Sequence, residues 1–203
     1  NMTVIKPHGD TVSLFNAKGF DKIAGEFLYI ERPLIQLLRY NFAYPSAALV
    51  KKSTLINAGM FDQYLSLHED TDIFYRMALE GKWGVLGQSL ARKFRRTEPL
   101  MINLSDRHSD EPSYSYKVMV KIVERLQCIE KLTECEHRMV KKHLSIYMFM
   151  VGVKLRAEGK KGYRSWFSKG LRANPSLKIF LKWLIFNVPF GVDFIASRLR
   201  RFQ

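Results

Sequence analysis

The chain has 203 residues, of which 47% are apolar and 26% charged, a composition typical of globular proteins that excludes a disordered chain. The formal net charge of +14 is concentrated at one end. Lys and Arg number fourteen against twelve Asp and Glu in residues 1–110, but fourteen against two in residues 141–203. A partner that binds through charge is therefore expected at the C-terminal segment.

The first part of the chain carries alternating strand and helix signals. Residues 3–31 mix β-branched and aromatic residues with turn signals, which predicts short strands or a hairpin. Residues 32–41 have the leucine spacing of a short helix with a proline in its first turn. The apolar run 47–50 predicts a buried strand. In residues 51–59, Ser53 is the expected N-cap of a short helix that stops at Gly59.

A second helix is expected to follow an acidic stretch and to end near Gly81. Its predicted apolar face consists of Ile73, Phe74, Met77 and Ala78, which have helical spacing. The apolar residues 83–86 then predict a strand. This order of strands and helices indicates an α/β domain over residues 1–112.

From Tyr114 onward the periodicity is helical, which predicts a basic all-α region over residues 113–203. Cys128 and Cys135 stand seven positions apart in a helical-looking stretch; on a helix they would share a face but lie roughly 10 Å apart, which is too far for a disulfide. Two reduced, apolar cysteines fit a cytosolic environment. The expected helices cover residues 116–132, 135–159, 163–175 and 177–202, the last of them broken near a proline.

Three carboxylates, of Glu69, Asp70 and Asp72, crowd into four positions at the predicted start of a helix. One interpretation is capping by Thr71 or Asp70, with neighbouring acids stabilised by the helix macrodipole by about 0.3–1 kcal/mol each. Capping explains three adjacent acids less well than one or two, because like charges repel. The other interpretation is that one carboxylate acts as a general base and its neighbour binds substrate hydroxyls.

The run "SAALVKKSTLINAGMFDQYLSLHEDTDIFYRMALEGKWGVLGQSLARKFR" resembles the C-terminal half of the catalytic domain of family 2 glycosyltransferases, which have the Rossmann-like GT-A fold. In that family a strand, a basic pair and a short helix precede a glycine and Phe-Asp. An acidic pair then opens the next helix. The corresponding residues here are Gly59, Phe61, Asp62, Glu69, Asp70, Asp72, Arg76 and Gly81.

The resemblance implies that Asp70 is the catalytic base of an inverting glycosyl transfer and that Glu69 helps to place the acceptor. Asp72 and Arg76 are further candidates for substrate binding, although they rank lower because they fit an ion pair that orients the helix. Arg95 could meet the donor diphosphate. It stands in "KFRRT", where the family often has Arg-x-His.

The nucleotide-binding half of the family, with its Asp-x-Asp metal motif, has no counterpart in this sequence, and "HEDTD" stands in the wrong context. The donor nucleotide and a divalent metal, Mg²⁺ or Mn²⁺, are therefore expected to bind residues outside this chain, which offers no metal-ligand spacing. We expect the chain to be a fragment that is inactive alone. No signal peptide is expected, because residues 1–10 contain no apolar stretch.

Residues 177–203 combine aromatic and aliphatic residues with Lys and Arg. Polar interruptions prevent this run from spanning a bilayer, so we expect a helix on an anionic membrane surface, at the cytoplasmic face. Ordinary packing against the catalytic part is the alternative. Nucleic acid is not expected as a partner, because no nucleic-acid motif is recognisable.

Together these features predict an inverting glycosyltransferase. It would transfer a sugar from a nucleotide-sugar to a glycan or lipid-linked acceptor, in cell-surface polysaccharide synthesis. A different class stays open, namely a non-catalytic helical adaptor with a small α/β head.

Overall fold

A computed structural model describes residues 2–5, 10–13, 15, 27–94, 111–176, 179–181, 183 and 184. The fold is mixed α/β with small sheets. The chain divides into two compact units: residues 1–107 and 131–136 form unit 1, and residues 108–130 and 137–203 form unit 2.

Unit 1 contains two small sheets. In the first, β1 is central, antiparallel to β2 and parallel to β5, whereas β3 and β4 pair antiparallel in the second. The early strands confirm the prediction for residues 3–31 in part, and β4 confirms the strand at 83–86. The elements are β1 (Met2–Ile5), β2 (Thr11–Ser13), β3 (Phe27–Ile30), α1 (Pro33–Tyr40), α2 (Lys52–Asn57), α3 (Glu69–Met77), β4 (Trp83–Leu86) and β5 (Ala91–Phe94).

The core of unit 1 forms where α1, α3 and β4 bury their apolar faces. All four predicted apolar residues of the α3 segment are buried, as are the three leucines of α1. The ring of Trp83 in β4 meets Phe42 and Phe74 edge to face, with centroids 6.2 and 5.8 Å apart. This aromatic contact packs α3 against β4 and the residues that follow α1, and so fixes the helix that carries the acidic cluster.

Two local predictions in unit 1 are wrong. Residues 47–50 form no strand, because Pro45–Ala47 is a 3₁₀ turn and Leu49 is fully exposed. Four apolar residues gain little as a strand without a sheet partner, and no described strand pairs with them. Helix α2 begins at Lys52, so Ser53 lies inside the helix and is not its N-cap. Gly59 follows the helix as expected, with φ of 84°.

Residues 131–136 are held in unit 1 by the buried carboxylate of Glu136. Its Oε2 accepts hydrogen bonds from the Thr133 N–H (2.8 Å), the Thr133 hydroxyl (2.7 Å) and the Arg32 guanidinium (2.9 Å). Burial alone would raise the pKa of Glu136, but these bonds outweigh burial and hold the pKa below 4.5. Thr133 and Glu136 form a capping box, which starts a helix at Glu134.

The described part of unit 2 is helical, with α4 (Pro112–Gln127), most of α5 (Glu134–Ala157) and α6 (Tyr163–Ala173). Cys128 caps α4 and Cys135 belongs to α5, so the two cysteines lie on separate helices, as the expected helices over residues 116–132 and 135–159 imply. The capping box at Thr133 begins a new helix between them. Both thiols are free, and both are exposed rather than packed in a core. Among the described helices, none is long and apolar enough to cross a membrane.

Helices α5 and α6 approach closely at two glycines. A Cβ at Gly152 would lie 2.5 Å from the Phe167 ring, and one at Gly170 would lie 2.6 Å from the Phe149 ring. The Ser145 hydroxyl donates to the Gly170 carbonyl at 2.7 Å. The two helices therefore interlock, with each phenyl ring seated over a glycine of the partner helix.

Candidate functional site

The acidic cluster occupies the first turn of α3. The helix begins at Glu69, and His68 takes the N-cap position in the left-handed conformation, with φ of 61° and no side-chain cap bond. The prediction of Asp70 or Thr71 as N-cap is therefore wrong, because the left-handed turn at His68 starts the helix earlier. Glu69, Asp70 and Asp72 all lie inside the first turn, where the helix dipole favours negative charge.

Asp72 and Arg76 form the ion pair expected from their spacing. Arg76 Nη2 and Nε lie 2.5 and 3.0 Å from Asp72 Oδ2. Asp72 is only 3% exposed. Because both groups are turned toward each other inside the fold, this pair orients α3.

Arg76 also binds the backbone that precedes α3. Its guanidinium donates to the carbonyl oxygens of Ala58 and Met60, the latter at 2.8 Å. Gly59, between them, has φ of 84°, and a Cβ there would lie 3.3 Å from Arg76 Nη1. We call Asp72, Arg76 and the backbone of residues 58–60 the Arg76 clamp. It ties the end of α2 to α3 and satisfies carbonyls that a helix C-terminus leaves open.

Asp70 and Glu69 are both half-buried and lie outside the Arg76 clamp. Asp70 Oδ1 accepts hydrogen bonds from the Thr71 N–H (2.6 Å) and the Thr71 hydroxyl (3.3 Å). Within the described residues, Asp70 Oδ2 and the Glu69 carboxylate have no hydrogen bond or ion pair. Asp70 and Glu69 are therefore held on α3 with carboxylate oxygens that accept no hydrogen bond from the described residues.

His68 adjoins these carboxylates at the start of α3. Burial lowers the pKa of its imidazole below 6.5, while the negative charges of Asp70 and Glu69 act in the opposite direction. The side chain is therefore predominantly neutral at pH 7, and it adds no positive charge that would balance the two acids.

The remaining site prediction, Arg95, lies outside the described residues. In the part of the chain that is described, no group of three or more His, Cys, Asp or Glu side chains could hold a metal ion.

The sequence reasoning missed an exposed aromatic face on β3 of unit 1. Phe27 and Tyr29 are 53% and 63% exposed, and their rings meet edge to face with centroids 4.8 Å apart. The Phe27 ring lies over Gly84, where a Cβ would come within 2.7 Å. The signal was present in "FLYI", because aromatic residues two apart in a strand share one face.

A scan against protein-family models finds no match, and searches of curated proteins and of solved structures find no significant match either. The likeness to family 2 glycosyltransferases therefore rests on the order and spacing of residues 46–95.

Proposed function

We propose that this chain supplies the acceptor side of an inverting glycosyltransferase of the GT-A type, with Asp70 as its general base. The observation that carries the proposal is the unequal environment of the three carboxylates. Asp72 is paired with Arg76 in the Arg76 clamp, whereas Asp70 keeps one oxygen without a partner in the described structure. A base needs such an oxygen, held firmly enough for approach to about 2.6–3.2 Å.

In the proposed reaction, Asp70 Oδ2 takes the proton of an acceptor hydroxyl. The hydroxyl oxygen attacks the anomeric carbon of the donor sugar, and the nucleoside diphosphate leaves from the opposite face with the bonding electron pair. The configuration at the anomeric carbon is thereby inverted. Glu69 accepts a hydrogen bond from a second hydroxyl of the acceptor, a glycan or a lipid-linked sugar.

Asp72 and Arg76 act in this scheme as positioning residues. They hold α3 against the turn at residues 58–60, so the orientation of Asp70 does not depend on bound substrate. The donor nucleotide and its Mg²⁺ or Mn²⁺ are assigned to residues outside this chain, and Arg95 remains a proposed contact of the donor diphosphate.

The test is Asp70→Asn in the full-length gene product. Asparagine keeps an oxygen that can accept the Thr71 N–H, so the thermal midpoint should stay within about 2 °C. Turnover should fall roughly 10²–10⁴-fold with donor binding unchanged. Glu69→Gln is the matched control, because it also removes one charge from the first turn. It should weaken acceptor binding and leave turnover at saturating acceptor within about tenfold.

Three outcomes would contradict the proposal. If Asp70→Asn retains turnover within a few-fold of wild type, Asp70 is not the base. If the variant instead loses stability in proportion to activity, Asp70 serves only the helix start. Absence of any transferase activity in the full-length product would favour the non-catalytic adaptor.

A further inference from the structure

The helical residues that follow Ser176 turn one face into unit 2. The Ser176 hydroxyl accepts the Ile179 N–H at 3.3 Å, which caps this helical stretch. Ile179 is buried with Phe149 and Phe167, and Trp183 packs against the same cluster. Trp183 Nε1 also donates to the Ser168 hydroxyl at 3.3 Å. Trp183 therefore contributes to the packing of unit 2.

Three of the described residues in this stretch are apolar and exposed. Phe180, Leu181 and Leu184 are 44%, 49% and 45% exposed. The Phe180 ring stacks on Trp183, with centroids 5.9 Å apart and planes at 17°, so the half-buried indole supports the exposed ring. Three large apolar side chains exposed close together on a short segment mark an interaction surface.

Helix α6, which Trp183 contacts through Ser168, carries several exposed cations. Ser168, the partner of Trp183, stands one helical turn from Arg164 and from Arg172, and residues so spaced lie about 5–6 Å apart on one helix face. Both arginines are exposed, as is Lys169, whose ammonium lies 4.6 Å from the centre of the Trp166 ring. The Trp183–Ser168 bond thus ties the segment with the exposed apolar residues to the helix that carries these cations.

Nothing described in unit 2 neutralises that row. Arg164, Lys169 and Arg172 make no ion pair among the described residues. Residues 137–176 contain ten Lys and Arg but one carboxylate, Glu158. Glu158 is occupied elsewhere, because it accepts two hydrogen bonds from Ser113 and pairs with Lys160 at 3.2 Å.

We propose that Arg164, Lys169, Arg172, Phe180, Leu181 and Leu184 form a docking surface for an anionic lipid membrane. The cations attract lipid phosphates and carboxylates, and the apolar side chains enter the acyl boundary. A nucleic acid would use the cations but gains little from Leu181 and Leu184, which cannot stack on bases. The inference does not depend on the proposed transferase activity.

The test is flotation of the whole chain with vesicles of phosphatidylcholine alone or with about 30% phosphatidylserine. Binding should require phosphatidylserine and should fall only in part at 0.5 M NaCl, because salt screens the charges but not the apolar contact. Arg164→Gln with Arg172→Gln should weaken binding about 25-fold at low salt, about fivefold per cation. Phe180→Ser with Leu184→Ser should remove the salt-resistant part, at least about tenfold.

The matched control is Lys51→Gln with Lys52→Gln. It removes the same amount of positive charge from two exposed residues of unit 1. It should bind within about twofold of wild type. All variants should keep the wild-type circular dichroism spectrum, because every changed residue is exposed; only Phe180→Ser loses a packing contact, its stacking on Trp183, and should lower the melting temperature slightly. The proposal is overturned if the control falls as far as the arginine variant, or if the apolar variant floats like wild type. It is also overturned if the arginine variant loses oligonucleotide binding but not vesicle binding.

Discussion

Replacement of Arg76 by methionine should destabilise unit 1 strongly. Methionine keeps much of the volume of the side chain but leaves Asp72, at 4% side-chain exposure, as a buried carboxylate without its cation. Breaking a buried pair on one side costs about 3–5 kcal/mol. The carbonyls of Ala58 and Met60 also lose a donor. Met60 is half exposed, so water can replace the bond there, whereas the nearly buried Ala58 adds to the loss.

Urea unfolding followed by tryptophan fluorescence measures the effect, because the half-buried Trp83 of unit 1 packs edge to face against Phe74. With a urea dependence of about 1–3 kcal/mol per molar, the midpoint should fall by about 2 M. Asp72→Leu in the same chain should restore at least about 2 kcal/mol, because an apolar pair replaces the unpaired charge. The reasoning is refuted if Arg76→Met costs less than 1 kcal/mol, or if the double variant is no more stable than the single one.

Three further substitutions test other local features. Gly59→Ala should cost about 1–2 kcal/mol in urea unfolding, because φ of 84° strains any side chain and the new Cβ crowds Arg76. Gly152→Ala should cost about 1–3 kcal/mol in thermal unfolding, because its Cβ would overlap the fully buried Phe167 ring. The control is Gly159→Ala, where no atom lies near the new Cβ. It should cost only the backbone strain of a positive φ. Burial lowers the pKa of His68, so the unfolded chain binds its proton more readily. The free energy of unfolding should therefore fall as pH drops through 6.5. His68→Asn, which tolerates φ of 61°, should reduce that slope between pH 7.5 and 5.5.

Short-range sequence signals predicted the elements whose stability is local. Pro33 and the three leucines that follow it predicted α1, and the spacing of Ile73 and Phe74 predicted the buried face of α3. These patterns work because helix periodicity decides directly which side chains face the core. The helices of unit 2 were predictable for the same reason, to within a few residues at their ends.

Features that depend on distant partners were not predictable in this way. The strand expected at residues 47–50 would be stable only when paired with a neighbouring strand. The sequence of these four residues does not indicate whether such a neighbour exists. The break between α4 and α5 is local by contrast, and it was predicted between residues 132 and 135, where the Thr133–Glu136 capping box begins α5. The bonds from Arg76 to the carbonyls of Ala58 and Met60 join residues eighteen and sixteen positions apart, so spacing could suggest only the Asp72 half of the clamp.

The crowding of three acids in a basic chain has a physical explanation in their separate surroundings. One isolated carboxylate would suffice to complement the positive end of α3, and three together repel each other. Asp72 is compensated by Arg76, and Asp70 accepts two hydrogen bonds from Thr71 through a single oxygen. Glu69 and the second oxygen of Asp70 gain nothing comparable within the described structure. Solvent and the positive end of α3 can stabilise these half-buried oxygens, so the proposal that they bind acceptor hydroxyls depends on the Asp70→Asn and Glu69→Gln measurements.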